Sequence, residues 1–270
     1  MPPRLIALDI DGTLYDSAKR VRPATLASLA RARGRGAAIA LVSGRPEPGL
    51  AGPAEALAPA FTGPGLPLTL ISYNGARISV GGAVIYQAPV PRETARRLLR
   101  HAEAFPAVPL VDDGHILSVT DPDAFRVARE AENCRLEIRV VANVADALDY
   151  DPCKVLFAID PPAMADLTGP IAAPFHDALD FVQSSPFYLE ANAKGVGKGS
   201  ALGVLCARLG ITAQDVFAFG DAQNDISMLA FAGHGVAMGN ACDELKSVAA
   251  EITASNDEDG IALVLDRVFG

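Results

Sequence analysis

Uninterrupted apolar runs recur along the chain, separated by segments of helical period, and each run ends in glycine or a few polar residues. The first, Leu5-Ile6-Ala7-Leu8, continues through Asp9, Ile10 and Asp11 to Gly12. A run without alternation is a strand covered on both faces, which belongs in a parallel sheet. Pro23 to Arg33 combines a helix-start proline with good helix formers and a stop at Gly34, and predicts a crossover helix. Ala37 to Val42 is the next buried strand, ending in the turn Ser43-Gly44-Arg45-Pro46, from which Pro46 opens a helix through an alanine-rich stretch. Leu66 to Ser72 predicts a third strand. This order is that of an α/β fold with a doubly wound, mostly parallel sheet.

From Ala76 the rhythm changes. Arg77 to Val80, Gly81-Gly82 and Ala83 to Tyr86 predict a hairpin that leads out of the sheet. Helices over Arg92 to Phe105 and Asp121 to Glu132 follow, among short strands near Leu110, His115 to Val119, Glu137 to Val141 and Lys154 to Ile159. Pro161-Pro162 and Gly169-Pro170 punctuate the segment, and strands at Leu179 to Gln183 and Phe187 to Glu190 close it. The α/β rhythm then returns with a helix from Lys198 to Leu209 stopped by Gly210, a strand at Val216 to Phe219, a helix through Leu229 and a strand at Gly235 to Ala237. The simplest organisation is a core of residues 1–82 and 189–270 interrupted by an α+β insert over 83–188.

A chain of 270 residues that is half apolar can bury a substantial core. Its net charge of −9 argues against general binding to nucleic acid or an anionic membrane, so any anion must be recognised by a few local cations. No stretch is long and apolar enough to span a bilayer, and the leader Met1-Pro2-Pro3-Arg4 lacks the features of a signal peptide. Cys134, Cys153, Cys206 and Cys242 are scattered, without the spacing of a zinc site or disulfide framework, which fits reduced thiols in a cytoplasm. Nothing in the sequence specifies an oligomeric state.

The chemistry concentrates at strand ends, where open α/β sheets bind ligands. Asp9 and Asp11 emerge together, and neighbouring carboxylates repel unless a cation lies between them or they share a proton. All-oxygen ligands favour Mg²⁺ over zinc, and an ionised Asp is a nucleophile able to form an aspartyl phosphate. The spacing is wrong for an EF-hand, because Gly12 is the fourth residue from Asp9 rather than the sixth. Further ends carry Ser43 and Gly44, Asn74-Gly75, and Gly220-Asp221-Ala222-Gln223-Asn224-Asp225, the last converging three oxygen ligands. Ser43 and Asn74-Gly75 also suit ordinary turns. Lys198 opens a helix, where positive charge is disfavoured without an anionic partner.

Asp9-Ile10-Asp11-Gly12-Thr13, Ser43-Gly44-Arg45-Pro46, Lys194-Gly195-Val196-Gly197-Lys198-Gly199 and Gly220-Asp221-Ala222-Gln223-Asn224-Asp225 resemble the four motifs of the haloacid dehalogenase superfamily, in the order and spacing of its Cof-type phosphatase branch. Gly235 to Ala241 and Ser255 to Gly260 are similar to that branch too. The resemblance implies a Rossmann-like core with a C2-type cap and a magnesium-dependent hydrolysis of phosphomonoesters. It implies Asp9 as nucleophile and Asp11 as acid and base, with Mg²⁺ held by Asp9, the Asp11 carbonyl and Asp221, and supported by Asp225 and Asn224. Phosphate would be held by Ser43, Gly44, Lys198 and the Gly12–Thr13 loop. Arg45, Asn74, Gly75 and, on a strand of the insert, Lys154 are candidate substrate contacts, although Lys154 also reads as a surface lysine at a strand start. The expected partner is a small phosphorylated metabolite such as a sugar phosphate. A phosphosugar mutase and a catalytically silent phospholigand-binding protein are the rival readings.

Overall fold

The computed structural model describes residues 4–63 and 65–270, so the leading Met1-Pro2-Pro3 lies outside the described residues. In chain order the elements are β1 (Leu5–Leu8), α1 (Pro23–Gly34), β2 (Ala38–Val42), α2 (Ala51–Leu57), β3 (Thr69–Ser72), β4 (Arg77–Val80) and β5 (Ala83–Gln87). They continue as α3 (Arg92–Ala102), β6 (Ala107–Asp112), β7 (Ile116–Val119), α4 (Val127–Cys134), β8 (Glu137–Val140), α5 (Val144–Ala147), β9 (Val155–Ile159), α6 (Met164–Ala172), β10 (Leu179–Ser185) and β11 (Tyr188–Ala193). The chain ends with α7 (Lys198–Leu209), β12 (Val216–Gly220), α8 (Ile226–Phe231), β13 (His234–Ala237), α9 (Asp243–Val248), β14 (Glu251–Ile252) and α10 (Gly260–Phe269). These group into two compact units, one from Met1–Gly44, Leu50–Tyr86 and Gly197–Gly270, the other from Arg45–Gly49 and Gln87–Val196.

The first unit is built on an eight-stranded sheet in the order β14-β13-β12-β1-β2-β3-β4-β5. Strands β14 to β3 are parallel, and β4 joins β3 antiparallel. All four residues of β1 are fully buried, as its unbroken apolar run requires. Ile6 and Leu8 pack under Leu29 of α1 and Leu265 and Phe269 of α10, while Leu5 and Ala7 face Leu202 and Leu205 of α7 and Met228 of α8. Burying each such large side chain contributes about 1.5–3 kcal/mol. The direction of winding reverses beside β1: the chain steps outward through β2 and β3 on one side and, after the second unit, through β12 and β13 on the other. Such a switch point opens a crevice at the carboxyl ends of β1 and β12.

The second unit holds a six-stranded sheet, β10-β11-β9-β6-β7-β8, antiparallel throughout its ladders except for the parallel pair β7 and β8. Val155, Phe157 and Ile159 pack with Leu98 of α3, Val144 of α5 and Ile171 of α6, whereas Leu110, Leu156 and Ala158 face Val127, Ala131 and Cys134 of α4.

Several expected elements differ. The hairpin of β4 and β5 extends the core sheet instead of leading out of it, and β11 pairs with β9 and β10, so the division between units falls near residues 86 and 196 rather than 82 and 188. The helix expected after Pro46 is broken into a 3₁₀ turn, α2 and a second 3₁₀ turn, in a stretch interrupted by Pro48, Pro53 and Pro59. Strand β3 starts at Thr69 rather than Leu66, because Pro67 cannot donate to a ladder. Helix α4 begins only at Val127, after Arg126 has turned left-handed. Gly169-Pro170, expected to break the chain, lies inside α6.

Candidate active site

The end of β1 and the end of β12 are neighbours: Leu8 pairs with Phe219, and the Asp9 N–H donates to the Phe219 carbonyl at 3.0 Å. Asp9 and Asp221 therefore leave the sheet side by side. Asp225 joins them from the 3₁₀ turn that follows β12, and one carboxylate oxygen from each of the three lies within 4.8 Å of the others.

Lys198, the first residue of α7, has a fully buried side chain whose Nζ donates to Asp9 Oδ1 at 2.6 Å and to Asp225 Oδ1 at 2.5 Å. The other Asp225 oxygen accepts the backbone N–H groups of Asp221 and Ala222, each at 3.0 Å. Asp225 is thus a strut that fixes both the lysine and the loop carrying Asp221. The Thr13 hydroxyl donates to Asp221 Oδ1 at 2.8 Å. Gly12 has φ +85°, and a Cβ there would stand 2.3 Å from Asp221 Oδ2, so the loop between Asp11 and Thr13 approaches Asp221 closely only because residue 12 has no side chain.

Three carboxylates share one ammonium. Burial, then Asp225 and Asp221, raise the Asp9 pKa well above the usual carboxylate range, more than Lys198 lowers it. Burial and Asp225 push Asp221 up to about 6 despite the Thr13 hydrogen bond. Burial alone would depress Lys198, but Asp225 and Asp9 outweigh it and hold the ammonium above its ordinary value. A cluster of oxygens this close, three carboxylates to one ammonium, fits a divalent cation, with Asp9 and Asp221 the carboxylates best able to offer it an oxygen and Asp225 already engaged at both.

The remaining candidates are distributed as follows. Asp11 is outside the three-carboxylate group; its half-exposed carboxylate takes the Lys19 ammonium at 2.5 Å. Ser43, buried at the end of β2, donates its N–H to Ile71 and accepts the Asn74 N–H at 2.9 Å each. Asn74, left-handed at φ 54°, accepts the Asn224 amide at 3.3 Å, so the ends of β3 and β12 meet through their asparagines. Gly44 closes the first segment of the core unit and Gly75 follows Asn74. Arg45 groups with the second unit, where its Nη1 donates to the Gly49 carbonyl at 3.5 Å. Lys154 immediately precedes β9 and is 4% exposed, which overturns its reading as a surface lysine; its Nζ lies 3.3 Å from Glu190 Oε2.

Two supports carried no role in the sequence reading. The Asn240 amide donates to the Gly12 carbonyl at 2.8 Å, and Asn256 donates its N–H to Asn240 and its amide to the Tyr15 carbonyl. Both stand in segments quoted for their resemblance, but Asn240 beside Gly239, and Asn256 between Ser255 and Asp257, read as turn residues until the partner loop is known.

A family model described as haloacid dehalogenase-like hydrolase matches residues 6–265. The chain is 31% identical to the HMP-PP phosphatase of Serratia proteamaculans, covering 91% of this chain and 87% of that protein. It is 28% identical to the 5-amino-6-(5-phospho-D-ribitylamino)uracil phosphatase YitU of Bacillus subtilis, covering 99% and 98%. Among solved structures, a haloacid dehalogenase-like hydrolase from Bacteroides thetaiotaomicron superimposes with a TM-score of 0.85 at 31% identity, over 98% of this chain and 99% of that one.

Proposed function

The chain belongs to the haloacid dehalogenase-like hydrolases and is a phosphatase, and from that premise we propose that it hydrolyses a small phosphorylated metabolite with Asp9 as nucleophile and Mg²⁺ as cofactor. The observation that carries this reading is Lys198 Nζ lying between Asp9 and Asp225 where Asp221 brings the third carboxylate.

Asp9 attacks phosphorus as the bond to the substrate alcohol breaks, giving an aspartyl phosphate on Asp9. Asp11, as the acid, gives its proton to the departing alkoxide; as the base, it takes one from the water that then attacks phosphorus and releases Asp9 and phosphate. Lys198, the Ser43 hydroxyl and the backbone N–H groups after Asp11 receive the phosphoryl oxygens, with Gly44 giving room to approach. Asp9, the Asp11 carbonyl and Asp221 would hold the Mg²⁺, backed by Asp225 and Asn224, and the ion when bound supplies charge neutralisation at phosphorus. Asn74, Gly75, Arg45 and Lys154 are assigned to the substrate's alcohol part. An acid paired with a nucleophile supports hydrolysis over silent phospholigand binding, and the phosphatase names of the relatives support it over a mutase. The thiol state of Cys134, Cys153, Cys206 and Cys242 supports a reducing, cytoplasmic setting.

The test is phosphate release from p-nitrophenyl phosphate with and without Mg²⁺, for wild type and Asp9→Asn. Release that needs the cation and vanishes in the variant supports the reading. Equal release from both proteins would exclude Asp9 as nucleophile.

A further inference from the structure

Within the first unit, a cavity of about 450 Å³ opens between the end of α1, α2 with the 3₁₀ turn after it, and the approach to β3. Ala54, Ala58, Phe61, Pro67 and Leu68 give it apolar walls, and Arg33 is the charged residue that lines it. A volume of this order with apolar walls and a single polar group is the make-up of a small-molecule site. The cavity lies at the amino ends of β2 and β3, because Arg33 comes just before Ala38 and Pro67-Leu68 just before Thr69. Asp9, Ser43, Asn74 and Asp221 all follow the carboxyl ends of parallel strands in the same sheet, so the cavity and the carboxylate cluster occupy opposite edges.

Arg33, in the last turn of α1, is 7% exposed. Among the described residues no carboxylate pairs with it. Its Nη1 donates to the Thr62 carbonyl at 3.4 Å, both Nη atoms donate to the Gly63 carbonyl at 3.3 Å, and its Cζ stands 4.9 Å from the centre of the Phe61 ring. Its Nε is buried with no hydrogen-bond partner. The carbonyls that end α1 add a partial negative charge, but no anion. Arg31 on the same helix, far more exposed, has a carboxylate partner in Asp266. A buried guanidinium held only by neutral groups is costly, since arginine is rarely buried unless it is paired.

We propose that this cavity is a second ligand site, for a small apolar monocarboxylate such as an arylacetate or a branched aliphatic acid. The carboxylate pairs with the Arg33 guanidinium, and the hydrocarbon body packs on Phe61, Pro67 and Leu68. A guanidinium matches a carboxylate through parallel N–H bonds, and long contacts to two carbonyls with an idle Nε leave that capacity unused. One cation among apolar walls selects one negative charge. A phosphate dianion would keep a charge unpaired there, so the site excludes the phosphorylated compounds that the carboxylate cluster is proposed to serve.

Titration calorimetry on the full chain compares phenylacetate and 4-methylpentanoate with phenylacetamide, a neutral analogue of the first, in wild type, Arg33→Met and Ala58→Trp. Wild type should bind at least one of the acids about tenfold or more tightly than phenylacetamide, and inorganic phosphate should not displace it. Arg33→Met keeps an apolar stem and removes the charge, so acid and amide should come within about twofold of each other. Ala58→Trp, at an exposed position of the wall, fills the space and leaves the guanidinium in place, so it should weaken acid and amide alike by about tenfold or more. This second variant carries the test should Arg33→Met fail to fold. No saturable binding of either acid to wild type, displacement of the acid by inorganic phosphate, or an acid affinity unchanged in either variant overturns the proposal.

Discussion

Lys198 Nζ stands 2.6 Å from Asp9 Oδ1 although 189 residues separate them in sequence. The same ammonium reaches Asp225, so its removal leaves Asp9 and Asp225 facing each other in a buried site. Lys198→Met should lower phosphatase kcat/KM by about 10²–10³-fold and destabilise the cation-free protein by about 3–5 kcal/mol. Lys198→Arg should recover stability more than activity, since a planar fork cannot replace a point charge within this contact. Steady-state kinetics with chemical denaturation of both variants checks the pair of effects; a Lys198→Met protein with full activity would remove the lysine from the mechanism.

Gly12→Ala tests the approach of the loop to Asp221. Its Cβ must both accept φ +85° and overlap Asp221 Oδ2, whereas Gly36 has φ +91° with nothing within 4 Å. The strain alone should cost about 1 kcal/mol in Gly36→Ala, and phosphatase activity should persist. Gly12→Ala should lose at least tenfold in Mg²⁺ affinity on top of the same strain, because it displaces Asp221. Isothermal titration of Mg²⁺ into both variants separates strain from displacement.

The raised carboxylates set a pH dependence. Asp221, pushed up to about 6, binds a proton more readily when folded than when unfolded, so the stability it contributes to the cation-free protein is present below pH 4 and lost as pH rises through 6. Asp9 shifts in the same direction. A cation must displace these protons, so Mg²⁺ affinity should rise steeply from pH 5 to 6.5 and level off above it. Thermal unfolding should show a larger Mg²⁺-induced rise in Tm at pH 7.5 than at pH 5. A rise independent of pH would mean the ion binds elsewhere.

Strands of the core were legible because burial on both faces leaves an unmistakable run, as in Leu5 to Leu8 and Val216 to Phe219. The meeting of Asp9 with Asp221 was legible too, since parallel strands bring their carboxyl ends to one edge. Where local punctuation had to be weighed against packing, the sequence misled: Pro170 reads as a breaker but rides within α6, and Gly81-Gly82 reads as an exit but turns the chain back into the sheet. The strut role of Asp225 and the hold of Asn240 on the Gly12 loop depend on where backbone groups of other segments arrive, which no spacing encodes. Lys154 is the sharpest case, because a lysine before a strand looks solvated until three buried carboxylates are found around it.

Those carboxylates make Lys154 the keystone of the second unit. Burial would strip its proton, but Glu190, Glu130 and Asp112 outweigh that and hold its pKa above the ordinary lysine value. The sign follows: a raised folded pKa gives stability that is complete below the unfolded lysine pKa near 10.5 and lost only as pH climbs past the folded value, so the pair is intact across the neutral range. Lys154→Met leaves Glu190 buried without its cation and should cost about 3–5 kcal/mol at pH 7.5. Adding Glu190→Gln should return about 1–3 kcal/mol of that, since an amide keeps the Ser184 hydrogen bond without the charge. Because the chain holds two units, global denaturation would blur the effect. Hydrogen exchange resolves it: amides of β9 and β11 should exchange faster in Lys154→Met and slow again in the double variant, while those of β1 and β12 stay as in wild type. Exchange that quickens equally in both sheets, or in neither, would show that Lys154 does not hold this face together.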